Sequence, residues 1–426
     1  MPENKPLTGY PSIDRFGRGH ELPVEAFKRI VSAFEGETYN YNPTAYLYDL
    51  FRIQDNLNSI KRCAPSQVKL YYAMKANPEK RIMEEIASNS ICAGVEIASS
   101  GELEEALCFW KPEEIIFTGP GKTIYELEKA IMAGIRLINI ESPVEALRIQ
   151  QIAEKHNIGN IDILLRVNLN YMIDAAFEHM SGCSTKMGID EDELKSAYKI
   201  IKKLDRVTVK GLHVFAASGV LDFSQLIKCA DYIFRLVKDS ECYMGKLQVI
   251  DLGGGIGIDY SFENQAFDID SYFAQLDLLI SNYQFEDKEF IMELGTYVVG
   301  NAGYYCAKIV DIKRVKGKKH IILAGGVNHM GLPLEMRRKY PVEIIPMHEP
   351  RLYKGQPYVH NETADISGPL CMVTDCLCWN ELIPHAEIGD IAVFFQSGAY
   401  CYEEGMHGFL RHPLPNVMFL ENAHEE

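Results

Sequence analysis

Between residues 69 and 295 the chain alternates short apolar runs with longer stretches whose apolar residues recur at helical spacing, and this constrains the fold more than any other feature. The apolar runs fall at 69–76, 94–99, 114–119, 136–141, 161–168, 209–216, 248–253 and 289–295. Helical patterns lie between them at 79–88, 102–109, 124–133, 144–156 and 191–204. Ser142-Pro143 and Asp222 each place a side-chain oxygen ahead of an apolar run, which is helix-start chemistry. Eight strands with crossover helices over about 230 residues predict a (β/α)8 TIM barrel, with a doubly wound open sheet as the alternative arrangement of the same units. After residue 296 the texture changes. Short runs at 305–315, 320–324, 343–346, 391–396 and 416–420 are separated by Gly, Pro and His, and predict a second, all-β domain. An amphipathic segment at 24–34 and a short strand at 46–49 precede the barrel. The expected division is a barrel at 44–297 and a β domain made from 1–43 and 298–426.

Composition narrows the function classes. The 426 residues, 47% of them hydrophobic, are enough for two cores. No apolar run approaches the roughly 18 residues of a membrane span, and the N-terminus lacks a basic-then-apolar leader. Eleven scattered cysteines without a paired zinc-type spacing fit reduced thiols, a cytoplasmic location and no bound metal. A net charge of −16 argues against a nucleic-acid surface.

In a (β/α)8 barrel, chemistry sits at the C-terminal ends of the strands. Those ends here carry Lys75, Glu96, Arg166, Ser218, the run Gly253-Gly254-Gly255, and Glu293, each polar or glycine where the strand interior is apolar. A lysine at a strand exit can be desolvated, which lowers its pKa and leaves an amine able to attack a carbonyl. A glycine turn after a strand can present backbone N–H groups to a phosphate. Thr118-Gly-Pro-Gly-Lys-Thr123 is not a nucleotide P-loop, because Ile116 stands where its first glycine belongs. One amine, one arginine, a glycine turn and two carboxylates suit an anionic, electron-poor cofactor.

Six motifs then occur in order: Tyr72-Ala-Met-Lys75-Ala-Asn77, Val95-Glu96-Ile-Ala-Ser-Ser-Gly101-Glu102, Asp251-Leu-Gly-Gly-Gly255, Glu293-Leu-Gly-Thr-Tyr297, Gly368-Pro-Leu-Cys371 and Ser397-Gly-Ala-Tyr400. Together they resemble the fold-type III pyridoxal-phosphate (PLP) decarboxylases, typified by diaminopimelate and ornithine decarboxylases, over nearly the whole chain from about residue 45. The resemblance implies PLP as cofactor, at the C-terminal rim of the barrel. It makes Lys75 the residue forming the Schiff base, and Gly254, Gly255, Ser218 and Tyr400 the phosphate cradle. Glu293 matches the carboxylate at the pyridine nitrogen, and Arg166 and Glu96 match residues lining the cofactor. Cys371 resembles a thiol that reaches in from the second subunit of a homodimer with shared active sites, where it would give a proton to Cα.

Several positions depart from the family pattern. Phe215 stands where a histidine usually stacks on the cofactor ring; it can stack but not donate a hydrogen bond, and His213, one pleat earlier, is the candidate to substitute in part. Thr296 replaces an arginine. The loop cysteine is followed by Met372, not by the acid that holds a distal amine, with Asp375 three residues on; near Tyr340 the usual Arg-Pro pair is absent, though Arg337 and Arg338 are close. Arg337, Met372 and Asp375 are therefore the candidate substrate-binding residues. Loss of the distal acid argues against a free diamino acid. The runs 116–122, 368–377 and 407–413 resemble a biosynthetic branch that includes the butirosin glutamyl-carrier-protein decarboxylase and siderophore-pathway decarboxylases. The expectation is an α-decarboxylase for a modified, conjugated or carrier-tethered amino acid. The alternatives are a free diaminopimelate or diamino-acid decarboxylase, a racemase on the same barrel, and a non-catalytic PLP-binding homologue. A racemase would need a tyrosine base where the loop here offers Cys371.

Overall fold

The computed structural model describes residues 22–36, 38–174, 178–260, 262, 266–331 and 340–421. The chain divides into two compact units, one of residues 52–259 and 263–300, the other of the described residues among 1–51, 260–262 and 301–426. Among the described residues no helix is long and apolar enough to cross a membrane.

Strand β1 (Thr44–Asp49) belongs to the second unit, where it pairs antiparallel with residues 303–307. This corrects the expected barrel start at 44. The six residues of β1 are all buried, and their ladder partners lie in the later sheet, so the barrel unit begins at Arg52.

The barrel strands are β2 (Val68–Ala73), β3 (Cys92–Ile97), β4 (Ile115–Phe117), β5 (Leu137–Ile140), β6 (Ile161–Asn168), β7 (Val207–His213), β8 (Val249–Asp251) and β9 (Glu289–Leu294). Each pairs in parallel with the next, and β9 returns to β2, so the sheet closes on itself in chain order. All eight coincide with the apolar runs in the sequence. The helices expected at 124–133 and 144–156 form as Ile124–Ala133 and Pro143–Lys155, for identifiable reasons. Thr123 and Glu126 make a reciprocal capping box, and Gly134, at φ 77°, ends the first helix in the left-handed conformation glycine favours. Ser142 accepts the Glu145 N–H, with Pro143 filling the first helical position.

Inside the barrel, the two-residue period of a strand sorts side chains into layers. The lower layer is apolar: Tyr71, Ile116, Leu137, Leu164, Val249 and Ile291 pack together. Gly94 occupies that level on β3, where a Cβ would come within 2.6 Å of the Tyr71 ring. Arg136 closes the N-terminal mouth, donating to Glu289 at 2.6 and 2.7 Å and to the Tyr71 hydroxyl.

The second unit is a β structure. Its further strands are β10 (Gly303–Val315), β11 (Lys318–Leu323), β12 (Val342–Ile345), β13 (Val359–Ser367), β14 (Cys376–Ala386), β15 (Ile391–Phe394) and β16 (Asn416–Leu420). They run in the order β12-β15-β10-β11-β13-β14, with β1 joining β10 to β16. The helix Val24–Phe34 buries Ala26, Ile30 and Phe34 in the same core as Leu47, Cys306 and Val393. Strands β13 and β14 and the helix Ile269–Tyr283 have no counterpart in the expectation from sequence.

Candidate active site

One step of two residues toward the C-terminal end of each barrel strand, the interior turns polar. Glu96 follows Gly94, Thr118 follows Ile116, Asn139 follows Leu137, Arg166 follows Leu164, Asp251 follows Val249 and Glu293 follows Ile291. Each is buried. His213 is the last residue of β7 and is fully buried beside them. On β2 the corresponding residue is Ala73, and the chain carries on through the short turn Met74–Ala76, which lifts Lys75 to the rim with 37% of its side chain exposed.

Lys75 Nζ lies 3.2 and 3.3 Å from the two carboxylate oxygens of Glu96 and 5.7 Å from the centre of the Phe215 ring. Burial raises the Glu96 pKa; the Lys75 charge opposes this without cancelling it, and Glu293 adds to it. Glu293 accepts from Thr118 Oγ1 and from Asn139 Nδ2, both at 3.3 Å, and its Oε2 stands 3.6 Å from His213 Nε2. Burial alone would raise Glu293, but His213, Lys75 and a hydrogen bond from Asp251 outweigh it and hold its pKa down to about 2. Asp251 goes the other way. Burial, then the neighbouring Glu293 charge, push it well above the usual carboxylate range.

The glycine turn follows β8 directly. Asp251 Oδ1 accepts the Gly253 N–H at 2.9 Å, and the Gly253 carbonyl accepts the Glu293 N–H at 2.8 Å. Gly253 and Gly255 have φ of 61° and 96°. A Cβ at Gly254 would sit 2.1 Å from the Glu293 carbonyl oxygen. Val220 N–H donates to the Gly255 carbonyl and Gly257 N–H to that of Val220, which brings Ser218 beside the turn. The two-residue strand Ala217–Ser218 pairs in turn with Glu178–His179.

Lys75, Glu96, Phe215, Ser218, Gly254, Gly255 and Glu293 are thus placed together at one end of the barrel. Three expectations need correction. His213 does not take the stacking position: it lies wholly inside the barrel against Glu293, while Phe215 lines the glycine turn, its ring 2.8 Å from a Cβ built at Gly253. Arg166 directs its guanidinium to Glu141 at 2.7 Å, and Glu141 also accepts the Gly188 N–H, so the arginine braces the rim. Asp375, in the β unit, is 2% exposed, and its two oxygens accept the Val327 and Leu370 N–H groups at 2.8 and 2.6 Å. It shapes the loop that carries Cys371 and does not reach outward. Cys371 itself is exposed, Met372 is half-buried and Tyr400 has φ of 61°, all within the β unit. Arg337 lies outside the described residues.

Sequence reasoning missed Thr118, Asn139, Glu141 and Asp251. The signal was present, because each lies two or four residues beyond an interior apolar residue of its strand. Lys122, rejected as a phosphate ligand, is a buried cation held by Glu145 at 2.6 Å and by the carbonyls of Gly119 and Asn139 at 2.8 Å.

Four buried atoms of this floor have no hydrogen-bond partner: Glu293 Oε2, Asn139 Oδ1 and both nitrogens of His213. An ionised carboxylate with a free, buried oxygen fits a cationic N–H donor such as a pyridinium. The lysine at the rim and the glycine turn fit the aldehyde and phosphate of the same group. His213, Asp251 and Glu293 offer atoms within 4.8 Å of one another, so the three form one tight cluster on this floor.

Comparison with known proteins agrees with this geometry. Residues 50–300 match the family model "Pyridoxal-dependent decarboxylase, pyridoxal binding domain". The chain is 33% identical to the 2-[(L-alanin-3-ylcarbamoyl)methyl]-2-hydroxybutanedioate decarboxylase of Staphylococcus aureus, over 89% of this chain and 95% of that one. It is 30% identical to the L-glutamyl-[BtrI acyl-carrier protein] decarboxylase of Niallia circulans, over 91% of each. Diaminopimelate decarboxylase of Helicobacter pylori, solved with L-lysine, shares the fold, with a TM-score of 0.80 at 24% identity over 91% of this chain and 94% of that one. A polar floor with an unpaired carboxylate oxygen, a rim lysine and these relatives converge on one conclusion: the chain belongs to the pyridoxal-dependent decarboxylases, and pyridoxal 5'-phosphate is its cofactor.

Proposed function

We propose that this decarboxylase acts on an α-amino acid whose side chain carries a polar conjugate, and not on a free diamino acid. The observation that carries this reading is the loop 368–375. Its single acid, Asp375, is buried and engaged by backbone N–H groups, and the position after Cys371 is Met372. That loop therefore offers no free carboxylate to a distal ammonium. A site built around an absent ammonium has no reason to reject a side chain whose amine is already acylated. The substrates printed in the names of two relatives share that property: one is an alanin-3-yl amide of a hydroxytricarboxylate, the other a glutamyl group on a carrier protein.

The cofactor, when bound, supplies an aldehyde that captures the substrate amine and an electron-poor ring that accepts the electron pair released with CO2. The chain's residues do the rest. Lys75 would hold the cofactor through its amine, and Glu96, buried and raised in pKa, is the group placed to hold the proton of that amine. Glu293 orients the ring and keeps its nitrogen cationic through the free Oε2. Phe215 covers one ring face, and Ser218, Gly254 and Gly255 bind phosphate. On motif resemblance, Tyr400 is a further phosphate ligand, and Cys371, supplied by a second copy of the chain, returns a proton to Cα. Reduced thiols and this chemistry suit a cytoplasmic enzyme working as a homodimer.

The test is CO2 release from three substrates: free diaminopimelate, 2,3-diaminopropionate acylated on its side-chain amine by citrate, and glutamyl-loaded acyl carrier protein. We expect turnover of a conjugated substrate and at least about 10²-fold lower kcat/KM for diaminopimelate. Efficient turnover of diaminopimelate would refute the proposal.

A further inference from the structure

We infer that Asp251 is a positioning residue: its carboxyl donates a proton to Glu293 in a hydrogen bond, fixing the Glu293 carboxylate under the ring nitrogen, and a neutral isostere can replace it. The inference rests on the proposed pairing of Glu293 with that nitrogen.

Four contacts lead to it. Asp251 and Glu293 share one donor, Asn139 Nδ2, at 3.4 Å from Asp251 Oδ2 and 3.3 Å from Glu293 Oε1. Two carboxylates turned toward a single amide at that range repel strongly if both are ionised, unless one of them keeps its proton. Asp251 Oδ1 accepts the Gly253 N–H at 2.9 Å, which leaves Oδ2 as the oxygen that carries the hydrogen. Among the described residues no lysine or arginine nitrogen lies within ion-pair distance of Asp251, whereas Lys75 serves Glu96; the neighbouring base, His213, has its Nε2 3.6 Å from Glu293 Oε2. Asp251 is fully buried, away from bulk solvent. Its pKa, raised by burial and by Glu293, agrees with this arrangement.

The position of Asp251 gives the contact a purpose. Through Oδ1 it holds the first glycine of the turn that faces the phosphate, and through Oδ2 it addresses the carboxylate that faces the ring. One side chain thereby fixes the spacing of the two ends of the cofactor site. Thr118 Oγ1 and Asn139 Nδ2 engage Glu293 Oε1, leaving Oε2 to the cofactor. An aspartate acting as an anion would instead compete with Glu293 for the same cationic nitrogen.

The experiment compares holoenzymes of wild type, Asp251→Asn, Asp251→Ala and Glu293→Gln. Infrared difference spectra at neutral pH, wild type minus Asp251→Asn, should show a deuterium-sensitive band of a protonated carboxyl. Asp251→Asn keeps one acceptor and one donor in place, so it should fold, bind pyridoxal 5'-phosphate within about 3-fold of wild type and keep the visible band in place. Asp251→Ala strands the Gly253 N–H and Glu293, and should weaken cofactor binding by roughly 10- to 100-fold. Absence of the protonated band, failure of Asp251→Asn to fold, or a loss in Asp251→Asn as large as in Asp251→Ala overturns the inference. Glu293→Gln separates the two levels. If it changes neither affinity nor band, the pairing of Glu293 with the ring fails and the inference falls with it. If it shifts both and Asp251→Asn does too, only the role of Asp251 is wrong.

Discussion

Replacing Gly254 by alanine tests whether the backbone beneath the cofactor is as tightly set as the structure requires. The new Cβ would lie 2.1 Å from the Glu293 carbonyl oxygen and 3.5 Å from the Phe215 ring. The first distance is about 1 Å short of the closest contact a Cβ tolerates, and the oxygen it meets is backbone, so no flexible side-chain end can yield there. Gly254 has an ordinary negative φ, and the whole effect is therefore steric. Either the turn or the end of β9 must move by roughly 1 Å, and overpacking of this kind costs about 1–3 kcal/mol of stability. Because the Glu293 N–H is tied to the Gly253 carbonyl, the displacement falls on the carboxylate proposed to meet the ring. Misplacement by 1 Å at a reacting centre lowers kcat by about 10²-fold. The control is Gly121→Ala, where a Cβ meets nothing within 4 Å. Cofactor content by visible absorbance, thermal unfolding and kcat on both variants decide the matter. If Gly254→Ala retains full cofactor and kcat within about 3-fold of wild type, the close approach of turn and strand is not what holds Glu293.

Other outcomes follow from the same geometry. Lys75→Ala should abolish the visible band of the bound cofactor and lower kcat by about 10³-fold or more, read by absorbance and CO2 release. Met372→Asp should raise kcat/KM for a free diamino acid by at least about 10-fold while lowering it for the conjugated substrate, in a paired assay. Lys122→Met strands the buried Glu145 carboxylate and should destabilise the barrel by about 3–5 kcal/mol, with most of that recovered in Lys122→Met/Glu145→Leu, by denaturant titration. In the β unit, burial lowers the His329 pKa from 6.5 to about 4, so its neutral form favours the folded state. Stability should then fall as pH drops below 6.5 and lose roughly 3 kcal/mol by pH 4, a loss that His329→Gln removes in acid-unfolding curves.

The barrel was legible because its strands are buried on both faces and read as unbroken apolar runs, which made all eight visible. The hairpin of β13 and β14 was not, for the opposite reason. Its strands carry His360, Asn361, Glu362, Trp379, Asn380 and Glu381 in mid-course, and Pro384 interrupts the second. Residues with φ near 50° at Asn361 and Asn380 break the two-residue alternation on which a strand assignment depends. The helix Ile269–Tyr283 was missed although Asp268 caps it through the Ser271 N–H. In the site, Lys75, Glu96 and Glu293 stood out as charges at strand ends. Asn139 and Asp251 did not, since a polar residue inside a strand gains meaning only when its neighbours on the adjacent strands are known. Arg166 and Asp375 show the converse case: each was read as facing ligand, and in the structure each is engaged by another part of the protein, Glu141 and the Val327 and Leu370 N–H groups.

Charge balance explains why the upper layer of the barrel can be so polar without unfolding it. Glu96 and Glu293 sit in the interior facing Lys75 and, 3.6 Å from Glu293, the His213 imidazole, and a third ionised carboxyl at Asp251 would add a negative charge in a medium where such charges cost several kcal/mol each. Keeping Asp251 neutral avoids that cost and leaves one carboxylate turned toward the cofactor. That remaining negative charge is located at Glu293, whose Oε2 is free. In the proposed pairing a cationic ring nitrogen would meet that charge, so loading the cofactor would offset it as well as fill the layer. On this argument cofactor binding and barrel stability are linked through Glu293, and the linkage has a sign. Pyridoxal 5'-phosphate should raise the unfolding temperature of the wild type, and raise it less in Glu293→Gln, which offers the ring nitrogen no charge. An equal rise in both proteins would show that the ring nitrogen contributes nothing to the balance.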